Sequence, residues 1–339
     1  MKLGIVGLPG SGKTTIFEVL TKHFTDTGHK EEARIGTIPV SDKRVDVLSE
    51  MYQPAKTIYA QVEYFLPGIK DKQKENVWIQ VRDCDALIHV VKNFTGYSIE
   101  APTPYEDFRR LDQEFIFSDL VVTEKRLERR ALDRRRGQKT NQEELSLLKE
   151  CLEAFENENP LRKFPGLACA PVLKGYAFLS AKPVLVLMNN DDDDDSLPGA
   201  HELMADEDCM VVRGRLEHEL AQMSDEEATD FLAAFNISES VMDRVIKRSY
   251  DCLGLISFFT VGHDEVRAWT IKKGTEAIEA AGVIHSDMQR GFIRAEVLSY
   301  ADLMEAGTEK AAKKKGTVRV EAKVYEVQDG DIINFRFNV

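Results

Sequence analysis

The residues best placed to do chemistry stand near the amino end. Gly7 to Thr14 reads GLPGSGKT and satisfies the GxxxxGK[ST] spacing. A glycine-rich loop of this kind lets successive backbone N–H groups converge on an anion, and a helix starting directly behind it adds the positive end of its dipole. The N–H groups of Gly10, Ser11, Gly12, Lys13, Thr14 and Thr15 are therefore the candidate cradle for the β-phosphate of a nucleotide. The Lys13 ammonium can neutralise the β and γ oxygens, which makes it the candidate catalytic group, and the Thr14 hydroxyl can ligate Mg²⁺. ATP and GTP both satisfy this chemistry, because the loop reads phosphate and not base.

A base-reading loop must be sought elsewhere. At the end of the run PVLVLMNNDD, Asn189 and Asp192 stand at the first and last positions of the NKxD pattern of GTPases, with Asn190 where the lysine would be. The Asp192 carboxylate can accept from guanine N1–H and the 2-amino group. Without a lysine packed over the ring the guanine preference weakens, and adenine stays open. Asn189 and Asp192 are the candidate base-binding pair. A small-molecule kinase would need an acceptor pocket and a general base, and no candidate for either stands out.

These groups need elements to hold them. Lys2 to Val6 is a short aliphatic run ending in glycine, and helical spacing begins at Lys13, so the phosphate loop joins a strand to a helix. Ala60 to Phe65, Ala86 to Val91 and Pro183 to Met188 read as further strands, the last two as continuous apolar runs suited to a parallel sheet covered on both faces. The fold class is α/β, a doubly wound P-loop core. Between the last two strands, Glu114 to Arg136 and Gln142 to Asn157 read as two helices around the turn GQKTN, an antiparallel hairpin inserted into the core. Its tip gathers Lys125, Arg126, Arg129, Arg130, Arg134, Arg135, Arg136 and Lys139. That patch is either a solvated charged face or a polyanion-contacting arm.

The acidic run Asp191 to Asp195 is loop, and helices resume at Ser224 to Phe235, with the capping-box pair Ser224 and Glu227, and at Ser238 to Cys252. From Leu255 the pattern changes to an α+β domain. Its expected strands are Leu255 to Val261, Val266 to Ile271, Phe292 to Leu298, Thr317 to Val327 and Ile332 to Phe337, with helices near Thr275 to Ala281 and Ala301 to Lys315. The expected organisation is a nucleotide-binding domain over 1–110 and 166–252, a helical arm over 111–165 and a C-terminal domain over 255–339. His263 and His285 in that last domain are read as structural.

Composition sets the limits. The chain has 339 residues, 43% hydrophobic and 30% charged, which excludes wholesale disorder and fibrous repeats. Lys plus Arg 45 against Asp plus Glu 58 leaves a net charge of −13, so any nucleic-acid contact must be local. Five scattered cysteines without a CxxC pair indicate neither a zinc knuckle nor a disulfide framework. No targeting or membrane-spanning segment is expected, and a reducing cytoplasm fits.

The order of phosphate loop, helical hairpin, asparagine-bearing base loop and small C-terminal domain resembles the YchF, or Obg-like ATPase, family over nearly the whole chain. The resemblance is carried by PVSDKRVD at Pro39 to Asp46, EFIFSDLVVTEKRLER at Glu114 to Arg129, EVRAWTIKKGTEAIEAAGVIHSDMQRGFIRAEV at Glu265 to Val297, and the closing DGDIINFRFNV. It implies a β-grasp, TGS-like C-terminal domain, binding and hydrolysis of ATP or GTP, and association with ribosomes. It places the phosphate loop on Gly10 to Thr15 and the base loop on Asn189 and Asp192, where the family usually has NxxE.

The chain also departs from that family. A DxxG segment, whose aspartate positions Mg²⁺ through water and whose glycine senses the γ-phosphate, is replaced by EYFLPG at Glu63 to Gly68. Leu66 stands in the aspartate's place with one residue deleted, and Ile69 follows the glycine. The switch segment shortens to GHKEEARIG at Gly28 to Gly36 with no aligned threonine. The late base-contacting loop reads RGRLE at Arg213 to Glu217, keeping Gly214 and Glu217. Phosphoryl transfer depends on positioning and charge stabilisation, so hydrolysis is expected to be slow or lost while binding survives. The alternative to a weak Mg²⁺-dependent NTPase is a nucleotide-gated interaction module that does not hydrolyse.

Overall fold

Alternating aliphatic runs and amphipathic stretches give, in the computed structural model, strands and helices over residues 1–24, 32–68, 75–96, 101–199, 206–224, 226–228, 231 and 240–338, which are the residues the structure describes. The first elements are β1 (Lys2–Val6), α1 (Lys13–Thr21), β2 (Arg34–Pro39), α2 (Lys43–Tyr52), β3 (Lys56–Ile58), β4 (Gln61–Leu66), α3 (Glu75–Val81) and β5 (Ala86–Asn93). There follow α4 (Pro104–Arg135), α5 (Gln142–Glu156), the single turn α6 (Pro165–Ala168), β6 (Val184–Asn190), β7 (Asp208–Val212), α7 (Gly214–Leu220) and α8 (Val241–Cys252). The C-terminal elements are β8 (Leu255–Val261), β9 (Glu265–Lys272), α9 (Ala277–Ile284), α10 (Ser286–Arg290), β10 (Phe292–Ser299), α11 (Tyr300–Ala306), α12 (Glu309–Lys315), β11 (Arg319–Glu321) and β12 (Asp331–Phe337).

Two compact units result, Met1–Thr37 with Glu63–Val245, and Ile38–Val62 with Ile246–Val339. In the first, six strands run in the order β2-β4-β1-β5-β6-β7. β1 pairs in parallel with β4 on one side and β5 on the other, and β5, β6 and β7 continue in parallel. Every residue of β6 is buried, which is why its sequence is an unbroken apolar run ending in two asparagines. The strand order reverses at β1, and ligands of open α/β sheets bind in the crevice at the carboxyl ends of the strands beside such a reversal. β2 and β7 are not legible as strands in the sequence: β2 carries Gly36 and Pro39, and β7 has only five residues.

The inserted hairpin is α4 and α5. α4 begins ten residues before the expected Glu114, because Pro104 sits in its first turn with Glu106 and Asp107 behind it, and Phe108, Leu111 and Phe115 bury against the sheet. α5 is capped by Asn141, whose side chain accepts from the N–H groups of Glu143 and Glu144. Between them Gly137 takes φ +75°, a left-handed turn that a side chain would strain. The helices share a core of Ile116, Leu148, Cys151, Phe155 and Leu161. At the expected helix Ser224 to Phe235 the capping box forms: the Ser224 N–H donates to the Glu227 carboxylate at 2.9 Å and Glu227 N–H returns to Ser224 Oγ at 3.3 Å. Most of the remainder lies outside the described residues. α8 starts at Val241 rather than Ser238, with Ser240 as the residue that accepts from Asp243 N–H.

The second unit is a mixed sheet in the order β11-β10-β12-β8-β9-β3. β8 and β12 pair in parallel, as do β3 and β9, and the remaining neighbours run antiparallel. α9 packs on one face over Phe258, Ile271, Val297, Ile333 and Phe335. Residues 38–62, expected within the domain over 1–110, belong to this unit. β3 adds an edge strand, and the Arg44 guanidinium on α2 bonds Asp42 at 2.8 Å and Asp329 at 2.7 Å. Two expectations change here. Thr317 to Val327 yields only the three-residue β11, and Ala301 to Lys315 breaks into α11 and α12 at Gly307, φ +74°. His285 is structural, its Nδ1 accepting from Asp287 N–H at the start of α10. Among the described residues no helix is long and apolar enough to cross a membrane.

Candidate nucleotide-binding site

The loop after β1 turns on glycines that other residues cannot replace. Gly7, Gly10 and Gly12 take φ of +154°, +79° and +97°, and a Cβ on Gly12 would collide with the Asn189 carboxamide. Gly12 is the N-cap of α1, and the Gly12 carbonyl accepts from Ile16 N–H at 2.9 Å, so the helix begins at Lys13 with its first N–H groups directed toward the loop. The Lys13 Nζ donates to Leu8 O at 2.7 Å, and burial pushes its ammonium down to about 8. Ser11 is 1% exposed and its Oγ has no hydrogen-bond partner among the described residues.

Asn189 lies at the end of β6 and braces this loop. Its Nδ2 donates to Ser11 O at 3.0 Å and its Oδ1 accepts from Gly214 N–H at 2.9 Å. One carboxamide thus ties the phosphate loop to the turn that opens α7, and a Cβ on Gly214 would sit 2.8 Å from Asn189 Oδ1. Asn190, at the lysine position of the base motif, is buried with its carboxamide held by Asn93 at 2.9 Å and by Ser196 O at 2.8 Å. It fixes the acidic loop, with both ends of its carboxamide occupied by protein partners. Asp191 accepts from Thr95 N–H at 3.2 Å. The Asp192 carboxylate is half-exposed, 3.5 Å from Arg215 Nε, so it stands at the rim with a cation beside it.

Part of this set lines one cleft of about 680 Å³: Gly10, Gly12 and Thr15 of the loop and α1, Asn189 to Asp192 after β6, Lys92, Phe94 and Thr95 after β5, and Arg215 and His218 of α7. The volume suits a nucleotide. Thr95 carries no signal in the sequence because its signal is tertiary: it is joined to Asp191 across 96 positions. Glu217, on α7, is buried, and burial holds its carboxyl above the usual range. His89, in register with Val6 across β1 and β5 and stacked on Phe108, is kept neutral by burial at about 3.

The carboxyl end of β4 differs from the family pattern. β4 ends at Leu66, and Phe65 and Leu66 are both buried apolar residues, so no carboxylate stands immediately ahead of Gly68. Gly68 is gripped by Gln80 of α3: its N–H donates to Gln80 Oε1 at 3.1 Å and its carbonyl accepts from Gln80 Nε2 at 3.3 Å. Ile69 and residues 28–31 of the shortened switch lie outside the described residues. Among the described residues no group of three or more His, Cys, Asp or Glu side chains is arranged for a metal.

The hairpin sorts its own charges. Arg126 and Arg130 bond the buried Glu144 at 2.9 and 2.8 Å, and Tyr176 OH joins the same carboxylate. Lys125, Arg129, Arg134, Arg135, Arg136 and Lys139 are exposed.

Comparison with known proteins agrees with this geometry. A family model of the YchF GTPase C-terminal region, described as "Protein of unknown function (DUF933)", matches residues 255–338. The ribosome-binding ATPase YchF of Bacillus subtilis (strain 168) is 37% identical over 361 residues, covering 99% of both chains. That of Escherichia coli O157:H7 is 34% identical over 360 residues, covering 100% of this chain and 99% of the relative. The structure of the Schizosaccharomyces pombe YchF GTPase superposes with a TM-score of 0.85 at 27% identity, covering 99% of this chain and 97% of that one. With end-to-end similarity in sequence and architecture, and a strand–loop–helix built on Gly7 to Thr14, the chain belongs to the YchF family.

Proposed function

We propose that the protein binds ATP or GTP with Mg²⁺ in this cleft and acts at the ribosome, hydrolysing the nucleotide slowly. The observation that carries the reading is the left-handed glycine loop, which leads into α1 at the part-buried Lys13 and is tied by the Asn189 brace to the turn of Gly214, with Gly10, Gly12, Asn189 and Gly214 all lining one cleft. In this reading the N–H groups of Gly10 to Thr15 hold the β-phosphate, Lys13 neutralises the β and γ oxygens, and Thr14 takes the metal that polarises the terminal phosphate. Asn189 shapes the base end and Asp192 accepts from the base, an exocyclic amine of either purine meeting its need for a donor. The nucleotide-binding region comprises 1–110 and 166–252 apart from the segment 38–62, 111–165 is an arm whose exposed cations meet RNA, and 255–339 is a TGS-like domain. Ribosome association is supported by what the bacterial relatives are named for, and a protein that acts at the ribosome works in the cytoplasm.

The second reading, a nucleotide-gated interaction module, is favoured by the buried, apolar Leu66, which stands where the DxxG pattern has its aspartate. One experiment separates the two. Lys13→Ala should weaken triphosphate binding in calorimetry by at least about tenfold. Phosphate release above the Lys13→Ala background supports the NTPase; release equal to it with tight binding retained in the wild type supports the module; no binding of either nucleotide ends both.

A further inference from the structure

The register of β1 and β4 puts Gly4 beside Phe65, so three residues further along each chain Gly7 and Gly68 lie at the same end of the sheet. On the nucleotide reading, on which this inference rests, the terminal phosphate reaches that end and takes the Gly68 N–H. The same N–H already has an acceptor. Gln80 Oε1 receives it at 3.1 Å, while Gln80 Nε2 holds the Gly68 carbonyl at 3.3 Å. One N–H has one proton, so a phosphate oxygen and Gln80 compete for it.

Gln80 is also anchored. Trp78, two residues earlier on α3, packs edge-on against Phe115 of α4 with ring centroids 5.1 Å apart. Arg82, two residues later, donates to the fully buried Asp119 at 2.9 Å and to Ser118 Oγ at 2.8 Å. Asp119 in turn accepts from Ser180 N–H at 2.8 Å. The acceptor is fixed to the arm's helix on both sides, so when Gly68 turns toward a phosphate the carboxamide stays behind. Its hydrogen bonds break; they do not travel.

We infer that Gln80 determines how strongly the site prefers triphosphate over diphosphate, by acting as the built-in rival of the terminal phosphate for the Gly68 N–H. A diphosphate leaves the Gly68–Gln80 pair intact, whereas a triphosphate must displace it. Removing the rival raises the preference for triphosphate, and strengthening it lowers the preference.

The test is calorimetric titration of the full-length protein with adenosine and guanosine diphosphates and their non-hydrolysable triphosphate analogues in Mg²⁺. Gln80→Met keeps the side chain's length without the acceptor and should raise the ratio of triphosphate to diphosphate affinity about three- to tenfold, the worth of one to two such hydrogen bonds. Gln80→Glu keeps an acceptor, makes it stronger and adds a negative charge, and should bring the ratio to or below that of the wild type. Ile79→Ala, on the exposed side of the same helix, should leave it unchanged. The order Met above Gln above or equal to Glu is the expected result. A ratio unmoved in both variants, or equal loss of diphosphate and triphosphate affinity, makes Gln80 a packing residue and overturns the inference. A wild type that binds neither nucleotide overturns the nucleotide reading instead.

Discussion

Lys13 is the side chain of the cleft whose titration matters most to binding. Burial disfavours its charge and draws its pKa from the ordinary 10.5 down to about 8. A polyphosphate reverses that by supplying opposite charge, so binding near pH 8 should take up a fraction of a proton, and binding at pH 6.5, where Lys13 is already charged, should take up none. Titration calorimetry in buffers of different ionisation enthalpy reads this directly, and uptake at pH 8 that persists in Lys13→Ala would assign it to another group. The sign for stability is opposite in sense. Because the folded value lies below the unfolded one, the unfolded chain holds more protons between about pH 8 and 10.5, and the contribution of Lys13 to stability rises with pH across that window. Asn189 shows what a sequence hides at this scale: its position marks it as a base reader, whereas its Oδ1 and one N–H brace two loops.

At the scale of elements the hairpin offers the clearest division between charge that holds structure and charge that is available. Arg126 and Arg130 are bound to Glu144, so on the proposed reading any contact with RNA falls to the exposed cations nearer the turn. Reversing Arg134, Arg135 and Arg136 to Glu should weaken ribosome or RNA association and lower the slope of log affinity against log salt by about two to three units, roughly 0.7–0.9 for each phosphate no longer neutralised. The thermal midpoint should fall only slightly, because all three side chains are exposed and form no ion pair among the described residues, so what is lost is their favourable position at the carboxyl end of α4. An unchanged salt slope would make the patch a solvated face. The hairpin itself is legible in the sequence because it is long and nearly free of Gly and Pro, as are β5 and β6 because burial on both faces writes an unbroken apolar run. Its start is not legible, since Phe108, Leu111 and Phe115 face the sheet and not α5. β2, β3 and β7 are hidden because none is an aliphatic run: RIGTIP, KTI and DCMVV mix apolar residues with charged or polar ones, and β2 with glycine and proline, so their neighbours supply the hydrogen bonds that define them.

Across the whole molecule, the net charge of −13 is an average over surfaces that differ in sign, and the order of segments along the chain is not the order of the folded units. Residues 38–62 interrupt the first unit and complete the second, which no local pattern announces. What secures them is Arg44, bonded to Asp42 and Asp329 and lying over the Phe259 ring at 5.0 Å, while Asp329 also accepts from Ser257 N–H at 2.9 Å. Arg44→Met would leave two carboxylates facing a half-buried site without their cation, at a cost of about 1–3 kcal/mol, between the values for exposed and buried pairs. The two tryptophans allow that cost to be located, since Trp78 lies in the first unit and Trp269 in the second. With Trp78→Phe as background, Arg44→Met should lower the denaturation midpoint reported by Trp269 fluorescence. With Trp269→Phe as background, ATP or GTP with Mg²⁺ should raise the midpoint reported by Trp78, because a ligand that binds only the native state stabilises the unit that holds it. An Arg44→Met midpoint unchanged at Trp269 would show that the β3–β9 pairing and the packing of α2 hold residues 38–62 in place without the ion pairs.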